Sequence, residues 1–373
     1  MSRPLYLNLL LAGAGFLPHA AAAARRPFDP LSLVHSRQAA LTAERAGFAA
    51  LTLAEARQLS AGLPAGGVLP DPLTWLPALA ALTSRIGLIA QVGAQHTQPY
   101  NTARRLASLD HASRGRAGGW LLPRSREREA ANFDHDDTAD ALARLHEYEQ
   151  VLRGLWDSWE DDARQFDTVT PRYVDTSKVR ALDHVGSHFR VAGPIDIPRP
   201  PQGWPVLVRT LASDAAADVA ALADAEVVVT EASTLAQARE RYAQVRAVAP
   251  QARILPCVTV LASPSAAQRE RQRAAWRRDG HDWTPPWAVL QGSPDELVPL
   301  LAQWRDQGAA DGFTFAPAVS GDELDDLADY LLPALQRHGL ARAHLPGATL
   351  REHLDLPRPA GRRQPHPVAD LTT

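Results

Sequence analysis

The sequence has little cysteine, no long apolar run and no excess of charge of one sign. Cys257 is the one cysteine among 373 residues, which excludes an internal disulfide and a zinc site made of several cysteines. No stretch reaches the roughly 18 consecutive apolar residues that a membrane-spanning helix needs. With 39 basic and 42 acidic residues the net charge is -3, so no overall positive field would hold nucleic acid or an anionic membrane.

Several short catalytic motifs are also absent from the sequence. There is no Gly-x-Ser-x-Gly turn, no His-Glu-x-x-His pair and no Walker loop, which excludes the simplest hydrolase, metalloprotease and kinase interpretations. The stretch Ala12-Gly13-Ala14-Gly15 approaches the dinucleotide-binding pattern but lacks its third glycine. An open, doubly wound sheet is therefore the less favoured arrangement for an α/β chain.

The N-terminal stretch of the sequence admits two interpretations. Arg3, the apolar run 5–11 and the alanine-rich stretch 20–24 follow the order of a secretory signal peptide. The same apolar run is typical of a parallel strand that is covered on both faces. Because Asn8 and Gly13 interrupt the apolar stretch and a single basic residue precedes it, the sequence favours a first strand.

Short apolar runs alternate along the chain with segments whose apolar residues have helical spacing. About eight strands are each followed by a helix, which predicts a parallel sheet closed as a (β/α)8 TIM barrel. We expect this single domain to span residues 1–355, with a Pro- and Arg-rich tail over residues 356–373. The strands are predicted at residues 5–11, 49–53, 86–92, 117–122, 205–209, 226–230, 254–260 and 312–315, with a short hairpin within 179–191.

In such a barrel the functional side chains lie at the carboxyl ends of the strands. His96 follows the third strand, as either a proton donor or a loop histidine that faces water. Ser213 follows the fifth strand, as either a helix N-cap or a phosphate ligand. The acidic stretch 134–137 offers metal-ligand types, but charged groups at a helix start are favoured. For Asp110 and His111, packing is favoured over a carboxylate–imidazole bond that supports the rim.

Several stretches, taken in order along the chain, carry a resemblance to one enzyme family. They include Tyr6-Leu7-Asn8, Pro99-Tyr100-Asn101-Thr102-Ala103-Arg104, Ala107-Ser108-Leu109-Asp110-His111, Leu155-Trp156-Asp157-Ser158-Trp159, Pro201-Gln202-Gly203-Trp204-Pro205 and Gly308-Ala309-Ala310-Asp311-Gly312-Phe313. The chain resembles the bacterial luciferase-like flavin monooxygenases, in the branch of nitrilotriacetate monooxygenase component A and dibenzothiophene sulfone monooxygenase. The resemblance covers nearly the whole chain and favours a barrel that begins with residues 5–11.

The resemblance implies a cofactor, a partner and a set of site residues. Family members bind reduced FMN supplied by a separate flavin reductase, and O2 adds to the flavin as a C4a-(hydro)peroxide that oxidises a small organic substrate. It also implies a cytoplasmic homodimer or homotetramer, with no metal, nucleic acid or membrane as a partner. The expected site residues are His96 and Tyr100 for catalysis, and Ala54, Glu55, Gln95, Trp120, Arg124, Arg209, Ala212 and Ser213 for the cofactor.

The phosphate-binding loop after the fifth strand departs from the family pattern. Leu211 and Ala216 stand where the family has glycines, which allow a backbone to approach a phosphate closely. Leu211 is expected to obstruct that approach. Ser213 stands at the matching serine, and Arg124 or Arg209 would supply a compensating contact to the phosphate.

The long insertion that the family carries after the seventh strand is shortened here. Trp283 and Trp287 lie in the shorter segment, where they either cover the barrel opening or pack the loop, and packing is favoured. These departures keep a second function open, that of a degenerate family member that has lost flavin binding and serves as a non-catalytic interaction subunit. Use of a deazaflavin fits the motifs less well.

Overall fold

Eight parallel strands form a closed ring at the centre of the structure. The computed structural model describes residues 3–26, 28–55, 69–123, 132–133, 140–212, 214–277 and 283–361. The strands of this part of the chain are β1 (Tyr6–Leu11), β2 (Ala50–Leu53), β3 (Gly87–Gly93), β4 (Ala117–Leu122), β5 (Arg164–Asp167), β6 (Arg172–Val174), β7 (His184–Val185), β8 (Arg190–Val191), β9 (Val206–Leu211), β10 (Val227–Thr230), β11 (Arg253–Ala262), β12 (Ala288–Gly292) and β13 (Gly312–Phe315). The ring runs β1–β2–β3–β4–β9–β10–β11–β13 and closes where β13 pairs with β1. The predicted (β/α)8 barrel is confirmed.

Helices connect the barrel strands and pack outside the ring. Several of them begin at a side-chain cap: the Ser32, Thr234 and Ser265 hydroxyls each accept a hydrogen bond from a backbone N–H of the first turn. The described helices are α1 (Ala20–Ala23), α2 (Leu33–Ala46), α3 (Pro72–Leu82), α4 (Pro99–Ser113), α5 (Ala141–Trp156), α6 (Ala216–Ala220), α7 (Leu235–Val248), α8 (Ala266–Ala275), α9 (Pro294–Asp306), α10 (Ser320–Asp326), which continues through a π-helical turn (Leu327–Leu331) into α11 (Leu332–Arg337), and α12 (Leu350–His353).

The apolar run near the N-terminus is a barrel strand, as predicted. Every residue of β1 is buried, and β1 pairs with β2 on one side and with β13 on the other. Asn8, the polar residue within this run, lies inside the barrel. Its side-chain oxygen accepts a hydrogen bond from the Thr52 hydroxyl at 3.0 Å, and its amide nitrogen lies 3.4 Å from the Thr314 hydroxyl. The buried amide is therefore satisfied by neighbouring strands.

Each barrel strand turns one face to the barrel interior and the other to the helices. In β10, Val227 and Val229 belong to the interior cluster, whereas Val228 packs outward beneath α7. In β9, Val208 faces the interior and Leu211 joins the outward cluster. Because side chains alternate along a strand, these positions also fix which way the residues at the strand ends face.

Two hairpins and one further strand lie outside the eight-stranded ring. The sequence predicted the hairpin of β7 and β8, which the structure confirms. It did not predict the hairpin of β5 and β6, whose residues are mostly exposed and carry no apolar alternation. It also did not predict β12, which pairs with the last five residues of β11 outside the ring. The segment after the seventh barrel strand therefore adds α8 and β12 to the barrel.

The amino end of the barrel is held by a buried carboxylate. Asp110 accepts hydrogen bonds from the Ala117 N–H at 3.0 Å and from the Gln202 side chain at 2.6 Å. Burial raises the pKa of the Asp110 carboxyl to about 6. His111 instead bonds the Pro198 carbonyl at 3.0 Å, so the two side chains act in packing and not as a pair.

The start of the predicted tail lies against the barrel. Arg358 forms an ion pair with Asp161, and the Pro359 carbonyl accepts a hydrogen bond from Arg199 at 3.0 Å. These contacts lie within residues 356–361, the part of the tail that the structure describes.

Candidate active site

The mouth of the barrel, meaning the end formed by the carboxyl ends of its strands, is divided by exposure into two sectors. Nearly all residues of the barrel strands are buried, but a few inward-facing residues at this end stay half-buried. We call these residues the open sector; they are Gln91, Gly93, Leu122, Thr210 and Glu231. Since functional groups of such barrels lie at the carboxyl ends of the strands, the open sector is the candidate site.

The other side of the mouth is closed by aromatic side chains, and Thr259, Ala316, Trp287 and Phe16 form this covered sector. The Trp287 indole N–H donates to the Thr259 hydroxyl at 2.9 Å, and that hydroxyl donates to the Ala316 carbonyl at 2.6 Å. The Phe16 ring meets the Trp287 ring edge to face, with centroids 5.2 Å apart. Trp287 is 9% exposed and packs with residues of the barrel interior, so it covers part of the opening.

A second indole–threonine pair lies in the open sector. The Trp120 indole N–H donates to the Thr210 hydroxyl at 2.7 Å, across the neighbouring strands β4 and β9. Trp120 is buried in the interior cluster, whereas Thr210 is half-buried. The hydrogen bond fixes the orientation of a large aromatic ring at the edge of the open sector.

Ala54 and Glu55, two residues predicted to bind the cofactor, lie beside the open sector. The Ala54 N–H donates to the Leu11 carbonyl at 2.9 Å, which continues the pairing of β1 and β2 to the mouth. The Glu55 N–H donates to the Gln91 side chain at 3.2 Å, and the Glu55 carboxylate accepts from the Gly93 N–H at 2.5 Å. The structure thus brings Ala54, Glu55 and the end of β3 together.

The loop after β3 carries three predicted site residues. Gln95 is buried, and the His96 ring stacks on the Phe133 ring with centroids 4.2 Å apart. Tyr100 lies in the first turn of α4, half-buried, and packs against the core between helices and strands. The catalytic roles of His96 and Tyr100 stay predictions.

Arg209 and Leu211 both face away from the mouth. The Arg209 guanidinium lies 3.2 Å from the Glu149 carboxylate of α5 and also donates to the Ala221 carbonyl at 3.2 Å. Burial lowers the pKa of Arg209, and the Glu149 charge opposes that shift. To bind a phosphate at the mouth, Arg209 would have to leave Glu149. The sequence led us to expect that Leu211 obstructs the approach of a phosphate. Leu211 instead packs in the outward cluster, so its side chain does not enter the mouth.

Arg241 of α7 contacts the loop after β9 at two points. The buried Arg241 side chain lies 3.0 Å from the Asp214 carboxylate and donates to the exposed Ala212 carbonyl at 3.3 Å. Ser213, between these two contacts, and Arg124 lie outside the described residues. Their predicted contacts with a phosphate stay predictions.

The rule that functional residues follow the strands points to Glu231, but sequence reasoning assigned it no role; the structure places it in the open sector. Its N–H donates to the Leu211 carbonyl at 3.1 Å, so the strand pairing of β9 and β10 reaches this residue. Burial raises the pKa of the Glu231 carboxyl, and the Arg241 charge opposes that shift. Burial and then the Glu231 charge raise the pKa of the Cys257 thiol. The alternation along β10 was the signal that could have found Glu231 from the sequence.

The described part of the chain offers neither a cluster of metal ligands nor a membrane-spanning helix. Among the described residues, no group of three or more His, Cys, Asp or Glu side chains is placed to hold a metal ion. The acidic stretch 134–137 lies outside those residues. Within the described ranges, none of the helices is both long and apolar enough to cross a membrane.

The sequence and the fold are both similar to known proteins. The sequence model of a family described as luciferase-like monooxygenase matches residues 16–329. Nitrilotriacetate monooxygenase component A of Aminobacter aminovorans is 30% identical over 364 residues, covering 78% of this chain and 79% of that protein.

Two solved structures share the fold over most of the chain. EDTA monooxygenase (EmoA) from Chelativorans sp. BNC1 has a TM-score of 0.83 at 24% identity, covering 95% of this chain and 99% of that one. Riboflavin lyase (RcaE), solved with a modified FMN and riboflavin, has a TM-score of 0.82 at 23% identity, covering 94% and 96%.

Proposed function

Since the chain belongs to the luciferase-like monooxygenase family, we propose that it uses reduced FMN and O2 to oxidise a small organic substrate. A separate flavin reductase supplies the reduced FMN, and the enzyme assembles as a homodimer or homotetramer. The open sector carries this proposal, because it is an opening at the carboxyl ends of the strands in a chain matched over residues 16–329.

The residues of the open sector fit the ring system of a flavin. Gly93 presents no side chain to the mouth, and Thr210 holds the buried Trp120 ring in place at the edge of the open sector. Ligand sites of this kind combine apolar and aromatic walls with a few polar groups. Gln91 and Thr210 supply such groups, so the donor and acceptor set of the mouth suits a heteroaromatic ring with carbonyl and imino edges.

The phosphate end of the cofactor would lie at the loop after β9. We infer that the backbone around Ala212 and the Ser213 hydroxyl would bind the phosphate, with Arg124 reaching it from the loop after β4. Arg241 holds this loop through the Ala212 carbonyl and the Asp214 carboxylate. Ala54, Glu55 and Gln95 would contact the ring from the side of β2 and β3.

The protein's part in the reaction is to orient the substrate and to keep water away. When bound, the reduced flavin supplies the electrons that activate O2. The covered sector excludes solvent from one side of the mouth, because Trp287 and Phe16 lie over Thr259 and Ala316. His96, in the loop after β3, would hold or donate a proton at an imidazole nitrogen, and Tyr100 would support that loop.

Titration of the protein with FMN and with reduced FMN tests the proposal. We expect saturable binding of reduced FMN, measured by quenching of tryptophan fluorescence, because Trp120 lies at the edge of the open sector. Oxidised substrate should then form only when the protein, the flavin reductase and O2 are all present. If the protein binds neither oxidised nor reduced FMN up to high micromolar concentrations, the proposal is overturned. The remaining function would then be that of a non-catalytic interaction subunit, which no contact of the described residues favours.

The phosphate end of the site has its own test. Ser213→Asp is expected to abolish FMN binding, because a carboxylate would repel the phosphate at this position. Ser108→Asp, which adds the same charge on the exposed face of α4, serves as the matched variant and should bind FMN normally. Unchanged FMN affinity in Ser213→Asp, with an unchanged circular dichroism spectrum, would remove Ser213 from the site.

A further inference from the structure

The open sector contains a carboxylate that faces into the barrel. Val227 and Val229 of β10 face the interior, and the strand pairing extends to the Glu231 N–H. Alternation therefore points the Glu231 side chain into the mouth. The proximity of its charge to the Cys257 thiol, which is buried in the same interior cluster, supports this orientation.

The Glu231 carboxylate has no fixed partner within the protein as described. Neither a hydrogen bond nor an ion pair joins it to any residue in the described ranges. The nearby Arg241 guanidinium is held instead by Asp214 and the Ala212 carbonyl. Glu55, another carboxylate of the mouth, is bound by the Gly93 N–H. A half-buried carboxylate without a protein partner is solvated by water, which a ligand can displace, so Glu231 is available for a ligand.

The surroundings of Glu231 suit a positive charge. The open sector also holds one end of the Trp120 indole, which belongs to the same interior cluster as Cys257, and an indole face attracts cations. Arg241 is the cation that acts on the Glu231 carboxyl, and its charge is balanced by the Asp214 carboxylate. The Arg209 guanidinium faces outward and pairs with Glu149. A carboxylate without a protein partner in such an opening favours an ammonium group and repels a second carboxylate.

We propose that Glu231 determines substrate specificity by binding the protonated amine of a small organic substrate in the open sector. This inference rests on the proposed function, because the amine would be held where that substrate meets the flavin. It predicts that the enzyme takes basic amines and discriminates against polycarboxylates. On binding, the ammonium group displaces water from the carboxylate and donates a charge-assisted hydrogen bond to it.

Three probes of similar shape and different charge test the inference. Benzylamine, benzyl alcohol and phenylacetate are titrated at pH 8 into the protein loaded with FMN, and again into the protein without FMN. We expect wild type to bind benzylamine more tightly than benzyl alcohol, and phenylacetate weakest. In Glu231→Gln, benzylamine should bind at least tenfold more weakly, while the affinity for benzyl alcohol stays unchanged.

Two further variants control for charge and folding. Glu240→Gln removes the same charge from the exposed face of α7 and should bind benzylamine as wild type does. Glu231→Asp retains the charge and should keep the order of the three probes even where Glu231→Gln is poorly folded. Equal binding of the three probes, or unchanged benzylamine affinity in a folded Glu231→Gln, would overturn the inference. Loss of FMN binding with the amine preference intact would overturn the proposed function alone.

Discussion

Two indole–threonine pairs, one in each sector of the mouth, make the same hydrogen bond in different surroundings. Trp287 donates to Thr259 at 2.9 Å in the covered sector, and Trp120 donates to Thr210 at 2.7 Å in the open sector. Thr259 is fully buried, whereas Thr210 remains half-buried. Water can replace a lost partner only where it can enter, so the covered pair contributes mainly to stability and the open pair mainly to ligand binding.

The largest test of this comparison is to remove the aromatic cover. Trp287→Ala is expected to lower the free energy of unfolding by about 3–5 kcal/mol, because a large buried ring leaves a cavity in the interior cluster. Denaturant unfolding of the variant and of wild type measures the loss. Trp287→Phe keeps most of the ring and should lose less. A loss of stability well below this range in Trp287→Ala would show that the indole does not contribute to packing at the covered side of the mouth.

The next test removes only the hydroxyl beneath that ring. Thr259→Val is expected to cost about 1–3 kcal/mol, because it leaves the buried Trp287 N–H without its acceptor. Thr259→Ser keeps a hydroxyl and serves as the control in the same unfolding measurement. Equal stability of the two variants would contradict a stabilising hydrogen bond in the covered sector.

The matched change in the open sector should cost less stability. Thr210→Val is expected to cost under about 1 kcal/mol, because water reaches this end of the mouth and can accept the Trp120 N–H. Its main effect should be weaker FMN binding, since the orientation of Trp120 is no longer fixed. If Thr210→Val destabilises the protein as strongly as Thr259→Val, the two sectors do not differ as proposed.

The barrel was predictable from the sequence because its signal is repeated. Each barrel strand is an apolar run followed by a segment with helical spacing of its apolar residues. Eight such strand–helix units leave few alternatives to a closed ring. The β5–β6 hairpin was missed because its strands are exposed and carry no apolar alternation. The strand β12 was missed because it pairs outside the ring, where no periodic signal marks it.

The site was less predictable, because closeness to a strand end does not decide which way a side chain faces. Arg209 and Leu211 follow the outward register of β9, so neither points into the mouth. Glu231 follows the inward register of β10 and does. Alternation counted from the apolar core residues would have separated these cases. The position of Trp287 depends on a long-range hydrogen bond to β11, which no local pattern indicates.

The smallest predicted effect concerns the charge of the open sector. Since burial raises the pKa of Glu231, its protonated form favours the folded state at low pH, and this stabilisation is lost as pH rises through the folded-state pKa. Glu231→Gln resembles the protonated acid at every pH. We expect its melting temperature to match wild type near pH 4 and to equal or slightly exceed it at pH 8. If the variant is less stable than wild type at pH 8, the carboxylate has a stabilising partner. Glu231 would then contribute to stability, as the residues of the covered sector do, and not mainly to ligand binding.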